Sequence, residues 1–520
     1  MSISLPPQRS SPDIERDESD TRAPIPVRRQ IVAALIVAAI GFAAILLLPP
    51  LAAAGMLVFV SILYLARRLV FTWVAGLTML VAVIMFIPVR RYAVPIPLPF
   101  ELEPYRIMLV LLVLALVAAL LLDRNRVWQP VAFGWPIGIF VASLVISIVA
   151  NGTSLVEDGL ASSAVGALIN VLLLLSTFYI VRQLLTTERI VTGLLLGLVW
   201  SGVAVAVMAM FERATRVNLF WRLNTILPLE LLTDESESFR AGGYRAYASS
   251  QHPIALSVMF CMLIPLAIYL ARYGKRPMNE ISRRIVYGAA VLVLLGGVLS
   301  AVSRTAVIVL GVMLLLTIVL RPNLGIALLL LAVPGLLVGL VALPKVFDTL
   351  VLSFLDIDGL IASQQTSPGW GGAGRLADLG PAMAEAQMSP FFGTGIGSRI
   401  VVGDDSNAFI LDNQVLGTLL ETGAVGVLGL AVFTLAPASM LLRFAFTTSK
   451  DDTRFALLAF AVAVSMSGYI AALFFYDAFG FYQTFFIWCL LLAIGAWLLT
   501  ASPPALTARS AVSRSRSVNV

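Results

Sequence analysis

Apolar runs of about 18–22 residues recur along almost the whole chain, and no other feature limits its possible folds so strongly. About 20 residues of helix cross the hydrocarbon core of a bilayer, where every backbone N–H and C=O must be satisfied without water. A transmembrane barrel would read instead as short alternating segments. The runs fall near 31–48, 51–66, 69–87, 105–122, 131–150, 164–181, 190–211, 253–271, 284–301, 304–320, 323–342, 411–443, 455–475 and 480–499. They predict an all-α fold, a polytopic transmembrane helix bundle of about 12–14 spans with two long outer loops containing short helices. The run beginning at 411 is too long for one simple crossing, so its first part, to about Gly423, is expected at the surface or re-entrant. With 59% hydrophobic and only 12% charged residues, the chain is too apolar for a soluble domain.

Three regions follow from this pattern. Residues 1–29 are polar, Pro-rich and mixed in charge, and read as a disordered cytoplasmic tail. They do not read as a cleavable signal peptide, because the lead is long and no small-residue cleavage site follows the first apolar run. Residues 30–500 form the membrane domain, and 501–520 a second, basic tail. The net charge of +6 lies in short loops and tails, which suits anionic lipid and not nucleic acid. Basic short loops (Arg67-Arg68, Asp123 to Arg126, Arg182 to Arg189, Arg272 to Arg284, Arg321, Arg443 to Arg454) set both termini inside. Arg90-Arg91 is the exception, outside by this count. The long loops 212–252 and 343–410 then both lie outside. Cys261 and Cys489 sit in apolar runs and offer neither a disulfide framework nor a zinc site.

Chemistry is expected where ionisable groups gather at the mouth of the bundle. The stretch FRAGGYRAYASSQHPIAL at 239–256 holds Arg240, Arg245 and the only histidine, His252. With Arg304 and Arg375 it places four arginines on the outer side. Guanidinium forks suit phosphate oxygens and stay charged at any relevant pH, although each also suits an interfacial anchor or a carboxylate partner. Arg304 has almost no loop around it, and a charge so close to apolar helix marks a functional candidate. His252 precedes Pro253, so it either caps a helix or serves as a base or hydrogen-bond donor. Asp412 and Glu421 stand at the entry to the last helical block. Nine residues apart, they would lie roughly on opposite sides of a straight helix. Asp356 and Asp358 form a D-x-D that reads as a turn, as does Asp404-Asp405. Leu376 to Gln387 is an amphipathic piece. No nucleotide, zinc-protease or hydrolase motif occurs, and no metal or cofactor is expected.

Four motifs, in this order and on one side, resemble the O-antigen ligase and polymerase superfamily of bacterial membrane glycosyltransferases. RAYASSQHP resembles the family's arginine-to-Pro motif ahead of a helix, with Arg245 in the arginine position. SRTA at 303–306 resembles its helix-opening serine-arginine motif. GRLADLGPAMAEAQMSPFFGTGIGS resembles the segment of the large outer loop that runs from an arginine, here Arg375, to a Gly-rich turn. DNQVLGTLLETGAVGVLG resembles the segment that follows, ending in a glutamate and glycines. Many members begin this last segment with a histidine thought to be catalytic; here Asp412 stands there, followed by Asn413.

The resemblance implies transfer of a glycan from a polyprenyl-pyrophosphate donor, at the outer face of a bacterial cytoplasmic membrane, to a glycan, lipid or protein acceptor. Such an inverting, metal-independent reaction asks for cations on the leaving diphosphate. Arg245, Arg304, Arg375 and Arg240 are the candidates. It also asks for an acceptor base, for which Asp412, His252 and Glu421 are the candidates, and for an opening between helices that admits the lipid tail. Two other classes stand beside it: a transporter or flippase of a lipid-linked or anionic solute, and a non-catalytic envelope-assembly protein.

Overall fold

The computed structural model describes residues 72–95, 101–122, 128–233, 238–240, 243–342, 344–352, 356, 379–400, 407–408, 411–447 and 453–500. The first two apolar runs, both tails, Arg375, Asp358 and Asp404-Asp405 lie outside them. The chain clusters into two compact units, Met1–Ala75 and Gly76–Val520. Of the first, only 72–75 are described, the opening of a helix at which Thr72 Oγ1 accepts from the Ala75 N–H at 3.1 Å. Everything below concerns the second.

The elements in order are α1 (Trp73–Phe86), β1 (Tyr92–Ala93), α2 (Pro104–Leu122), α3 (Gly134–Ala150), α4 (Gly152–Glu157), α5 (Ala161–Leu184) and α6 (Glu188–Thr215). A 3₁₀ turn (Leu219–Thr225), β2 (Glu230–Leu231), β3 (Phe239–Arg240) and β4 (Gly243–Tyr244) make up the first long loop. Then come α7 (Pro253–Tyr273), α8 (Glu280–Ala301), α9 (Arg304–Leu320), α10 (Pro322–Ala342), α11 (Pro344–Leu350), α12 (Leu379–Met388), α13 (Gln414–Thr447), α14 (Thr453–Ala472) and α15 (Tyr482–Thr500). Among the described residues, 9 helices are long and apolar enough to cross a membrane, and α1, α3 and α9 are shorter apolar helices that run alongside them. The protein is an all-α, multi-pass membrane bundle, and each of its long or shorter apolar helices falls within a few residues of an apolar run.

Burial sorts the helices. In α7 and α15, 83% and 89% of the spanning window is covered by protein, against 6% in α10. A helix apolar on every side can sit at the centre of a bundle, or at its rim facing lipid; hydropathy alone does not separate these cases. Here α7, α14 and α15 form the centre.

The described parts of the connections within 87–103, 151–160, 216–252, 302–303, 343–413 and 473–481 are tied to one another by contacts at one face of the bundle. β1 pairs antiparallel with β2, Tyr92 facing Leu231. Ser163 Oγ donates to the Gly397 carbonyl at 2.7 Å, and Ser147 Oγ to the Phe392 carbonyl at 2.7 Å. Helix starts on this face are capped by local side chains: Asn413 Oδ1 accepts from Leu416 N–H at 3.0 Å, and His252 Nδ1 from Ile254 N–H at 3.1 Å.

The long run beginning at 411 is a broken helix. α13 starts at Gln414 and turns at Gly423, whose φ of 65° and ψ of −165° no side-chain-bearing residue adopts comfortably. Asp412 therefore lies ahead of the helix, and the sequence expectation of two carboxylates on opposite sides of one straight helix does not hold.

Candidate functional site

The turn 473–481, between α14 and α15, is where the ends of the helices meet. Gln414 N–H donates to the carbonyls of Leu473 and Tyr476 at 2.9 and 3.2 Å, and its Oε1 accepts from Phe479 N–H at 2.7 Å. His252 stacks on Phe481, ring centroids 5.4 Å apart, and Phe481 stacks on Tyr476 at 5.9 Å. Gln483 Nε2 donates to the Ile84 carbonyl at 3.1 Å and contacts Ser249 Oγ at 3.2 Å. Tyr482 receives the Arg90 guanidinium, which donates to its hydroxyl and lies 4.5 Å from the ring centroid. Asn170 Nδ2 donates to the same hydroxyl at 2.8 Å. Helices α1, α5, α7, α13 and α15 thus converge on one short segment.

Asp477 is the acid of that turn. Its Oδ1 accepts from Gly480 N–H at 2.9 Å. Burial pushes its carboxyl above the usual range, and the nearby Asp412 adds to this; the Gly480 and Phe479 N–H groups and Arg90 oppose it. Glu421 faces Asp477 as well, together with Arg399, and its carboxylate accepts from Gly397 N–H. Asp412 and Glu421 are thus each within electrostatic reach of one acid, Asp477. Arg399 in turn donates to Glu385 of α12. A cavity of about 30 Å³, room for one or two waters, lies beside Glu421 between Gln414, Thr418, Thr422, Ile396 and Phe479.

Glu421 is held from behind by the Gly-rich turn. Gly395 N–H donates to its carbonyl at 2.7 Å, and Thr394 N–H donates to Leu420 at 3.0 Å. Past the Gly423 break, the Ala424 and Val425 N–H groups donate to Pro390 and Phe391 at 2.9 and 3.2 Å. Gly393 has φ +64°, and a Cβ there would stand 2.4 Å from the Glu421 carbonyl carbon. The glycines of FFGTGIGS serve this close backbone-to-backbone seat.

The arginines divide. Arg245 is buried, its Nε donating to Ala301, the last residue of α8, at 3.0 Å. Arg304 donates from Nε to Thr349 near the end of α11 at 3.3 Å. Both therefore border the α8–α9 turn, which passes through Val302 at φ 45°, a strained position for a β-branched residue. The backbone of Arg240 pairs with Gly243. The loop carrying Arg245 is clamped by the buried Glu212, whose carboxylate accepts from Tyr247 and Ala248 N–H at 3.1 and 2.6 Å. His252 accepts through Nδ1, so its neutral ring carries the proton on Nε2 and presents a donor there. Arg245 to His252 is the strip that joins the α8–α9 turn to the turn 473–481.

Sequence reasoning missed Asp477, Arg90, Asn170, Tyr482 and Arg399. Two signals pointed to them: one acid inside the aromatic string FFYDAFGFYQTFF, and the Arg90-Arg91 pair that breaks the charge bias of the loops.

An apolar groove of about 750 Å³ opens on the side of the bundle between α3, α9, α13 and α14, lined among others by Trp135, Val312, Leu428, Leu435 and Ile470. Its upper end at Leu428 lies seven residues after Glu421 on α13, past the Gly423 break.

The chain matches no protein-family model, and no curated protein is significantly similar to it.

Proposed function

We propose that the protein is a membrane glycosyltransferase of the O-antigen ligase and polymerase kind. It would join polyprenyl-pyrophosphate-linked oligosaccharide to an acceptor at the outer face of a bacterial cytoplasmic membrane, with inversion and without a metal. The observation that carries this reading is the stacking of two features on α13. The acids Asp412, Glu421 and Asp477, with Arg90 and Arg399, stand at the loop-rich mouth. Directly below them runs an apolar groove of the length and exposure that suit a lipid tail.

In this reaction the acceptor hydroxyl oxygen attacks the anomeric carbon. The bond from that carbon to the diphosphate oxygen breaks, and its electron pair leaves with the polyprenyl diphosphate. The hydroxyl proton passes to a carboxylate of the Asp412, Asp477 and Glu421 group. His252, whose Nδ1 caps the start of α7, suits a positioning role better than the base role. Arg245 and Arg304 supply positive charge beside the α8–α9 turn.

A transporter would be expected to carry charged groups near the middle of its helices. Among the described residues the charged side chains keep to the helix ends, with Glu421 just above the Gly423 break. The deciding experiment reconstitutes the purified protein in liposomes with lipid-linked oligosaccharide. Longer or transferred glycan and free polyprenyl diphosphate are the expected products. Movement of the oligosaccharide across the bilayer with no new glycosidic bond would refute the proposal in favour of transport, and neither result would favour an assembly role.

A further inference from the structure

We propose that Arg90 and Tyr482 form an oxyanion subsite for a diphosphate, with Asn170 as its positioning residue. The inference rests on the proposed glycosyl transfer, whose leaving group is a diphosphate, and it assigns that group to a place on the turn 473–481.

The Tyr482 hydroxyl carries the argument. Its side chain is buried, with 3% of the residue exposed. Arg90 Nη2 and Asn170 Nδ2 both donate to Oη, the latter at 2.8 Å. With Asn170 Nδ2 and Arg90 both turned to the oxygen, the hydroxyl hydrogen meets no acceptor among the described residues, whereas the reversed Asn170 amide would offer it Oδ1. A buried donor without an acceptor is costly, and an oxygen of an incoming anion would relieve it. Arg90 stands at the open side of this hydroxyl. Only Nη2 of its fork bonds a described residue, and the residue is exposed. The remaining N–H groups match paired phosphate oxygens.

Arg91 next door is buried, 4.2 Å above the Trp221 ring. Arg90 instead holds φ 58°, a left-handed backbone uncommon for any residue with a side chain. Its N–H is fixed by Glu103 Oε2 at 2.5 Å, and Glu103 is itself buried and paired with Arg106 at 3.4 Å. The effect of this geometry is to turn the guanidinium onto Tyr482 and toward Asp477, where the reacting bond of the proposed reaction would lie.

The test uses the full-length protein in lipid nanodiscs, with inorganic pyrophosphate and geranyl diphosphate as probes in calorimetric titration. Tyr482→Phe keeps the ring under Arg90 and removes one donor. It should weaken both probes about 10-fold, and Arg90→Gln about 10- to 100-fold, with wild-type melting for Tyr482→Phe. Asn170→Ala should raise KM for the lipid-linked donor while leaving kcat within a few-fold. Wild-type affinity in both Tyr482→Phe and Arg90→Gln, or no pyrophosphate binding by the unsubstituted protein, overturns the inference. If the variants bind normally yet the wild type transfers glycan, the subsite is wrong and the function stands. If the variants lose binding yet no glycan is ever transferred, the subsite stands and the function is wrong.

Discussion

Replacing Gly423 by Ala tests how the acids of the site are held. The residue sits at φ 65° and ψ −165°, a conformation reached essentially by glycine alone and worth about 1–3 kcal/mol of strain for any other residue. A Cβ at this position would stand 2.3 Å from the carbonyl carbon and oxygen of Phe391 and 2.4 Å from the Phe392 nitrogen. Those are backbone atoms, so no side chain can swing away. Relief requires the Pro390–Ser398 turn to lift, which breaks the bonds from Ala424 to Pro390 and from Val425 to Phe391. At about 1 kcal/mol each, these bring the total to about 3–5 kcal/mol. That is less than the stability of a typical domain, so the bundle should stay folded while the turn detaches and Glu421 loses its Gly397 contact. Amide hydrogen exchange at Ala424 and Val425 should accelerate by roughly two to four orders of magnitude, at 1.4 kcal/mol per tenfold. Glycan transfer should fall with it. Gly288→Ala is the control: nothing lies within 4 Å of its Cβ, and its helix should gain up to about 1 kcal/mol. Wild-type exchange at residues 424 and 425 in Gly423→Ala, with an unchanged melting temperature, would refute the reasoning.

Three further outcomes are expected. Glu212→Ala strands the Tyr247 and Ala248 N–H groups in a buried loop at about 1–3 kcal/mol each, and should appear as a lower melting temperature and protease cleavage between residues 243 and 252. Asp477→Asn should flatten a pH dependence. A carboxyl raised in the fold lends stability in full below its unfolded value near pH 4, and loses it as pH rises through the folded value. Melting of the wild type should therefore decline relative to Asp477→Asn from about pH 4 upward; Glu103, raised by burial in the same sense, titrates in both proteins and cancels. Arg304→Ala should abolish surface polymer while the protein remains in the membrane, and polymer of normal amount and length in that variant would sink the glycosyltransferase assignment.

The helices were legible because a membrane imposes one length and one polarity on them. Even the break at Gly423 was foreshadowed, since 411–443 exceeds a single crossing. The site was legible only in part. Motif spacing led to Asp412, and to Glu421 and the Gly-rich turn, of which the last two adjoin in the structure. It did not lead to Asp477, whose one local mark is that it is the single acid of an aromatic string. Its importance comes from Gln414, Arg90, Asp412 and Glu421, which approach from segments up to several hundred residues away. Arg90-Arg91 registered only as an exception to the loop-charge bias. The exception has a physical cause: one arginine is covered by Trp221 and the other turned onto Tyr482.

How the arginines spend their donors separates architecture from chemistry. The last carbonyls of a helix have no partner within it, and at the edge of a bilayer they gain most from a cation. Arg182 donates to Leu185 at the end of α5, Arg283 to Ala271 and Arg272 at the end of α7, and Arg321 to Ala445 at the end of α13. Arg245 on Ala301 and Arg304 on Thr349 follow the same habit, so their place beside a candidate site does double duty: each closes a helix and lends its charge to the mouth. Arg90 departs from the habit. It meets a phenol instead of a helix end, in a strained backbone, with donors still to give. A membrane protein tolerates such a group where a ligand completes it, and on that ground the centre of the site belongs to the turn 473–481 and not to the histidine that first drew notice in the sequence.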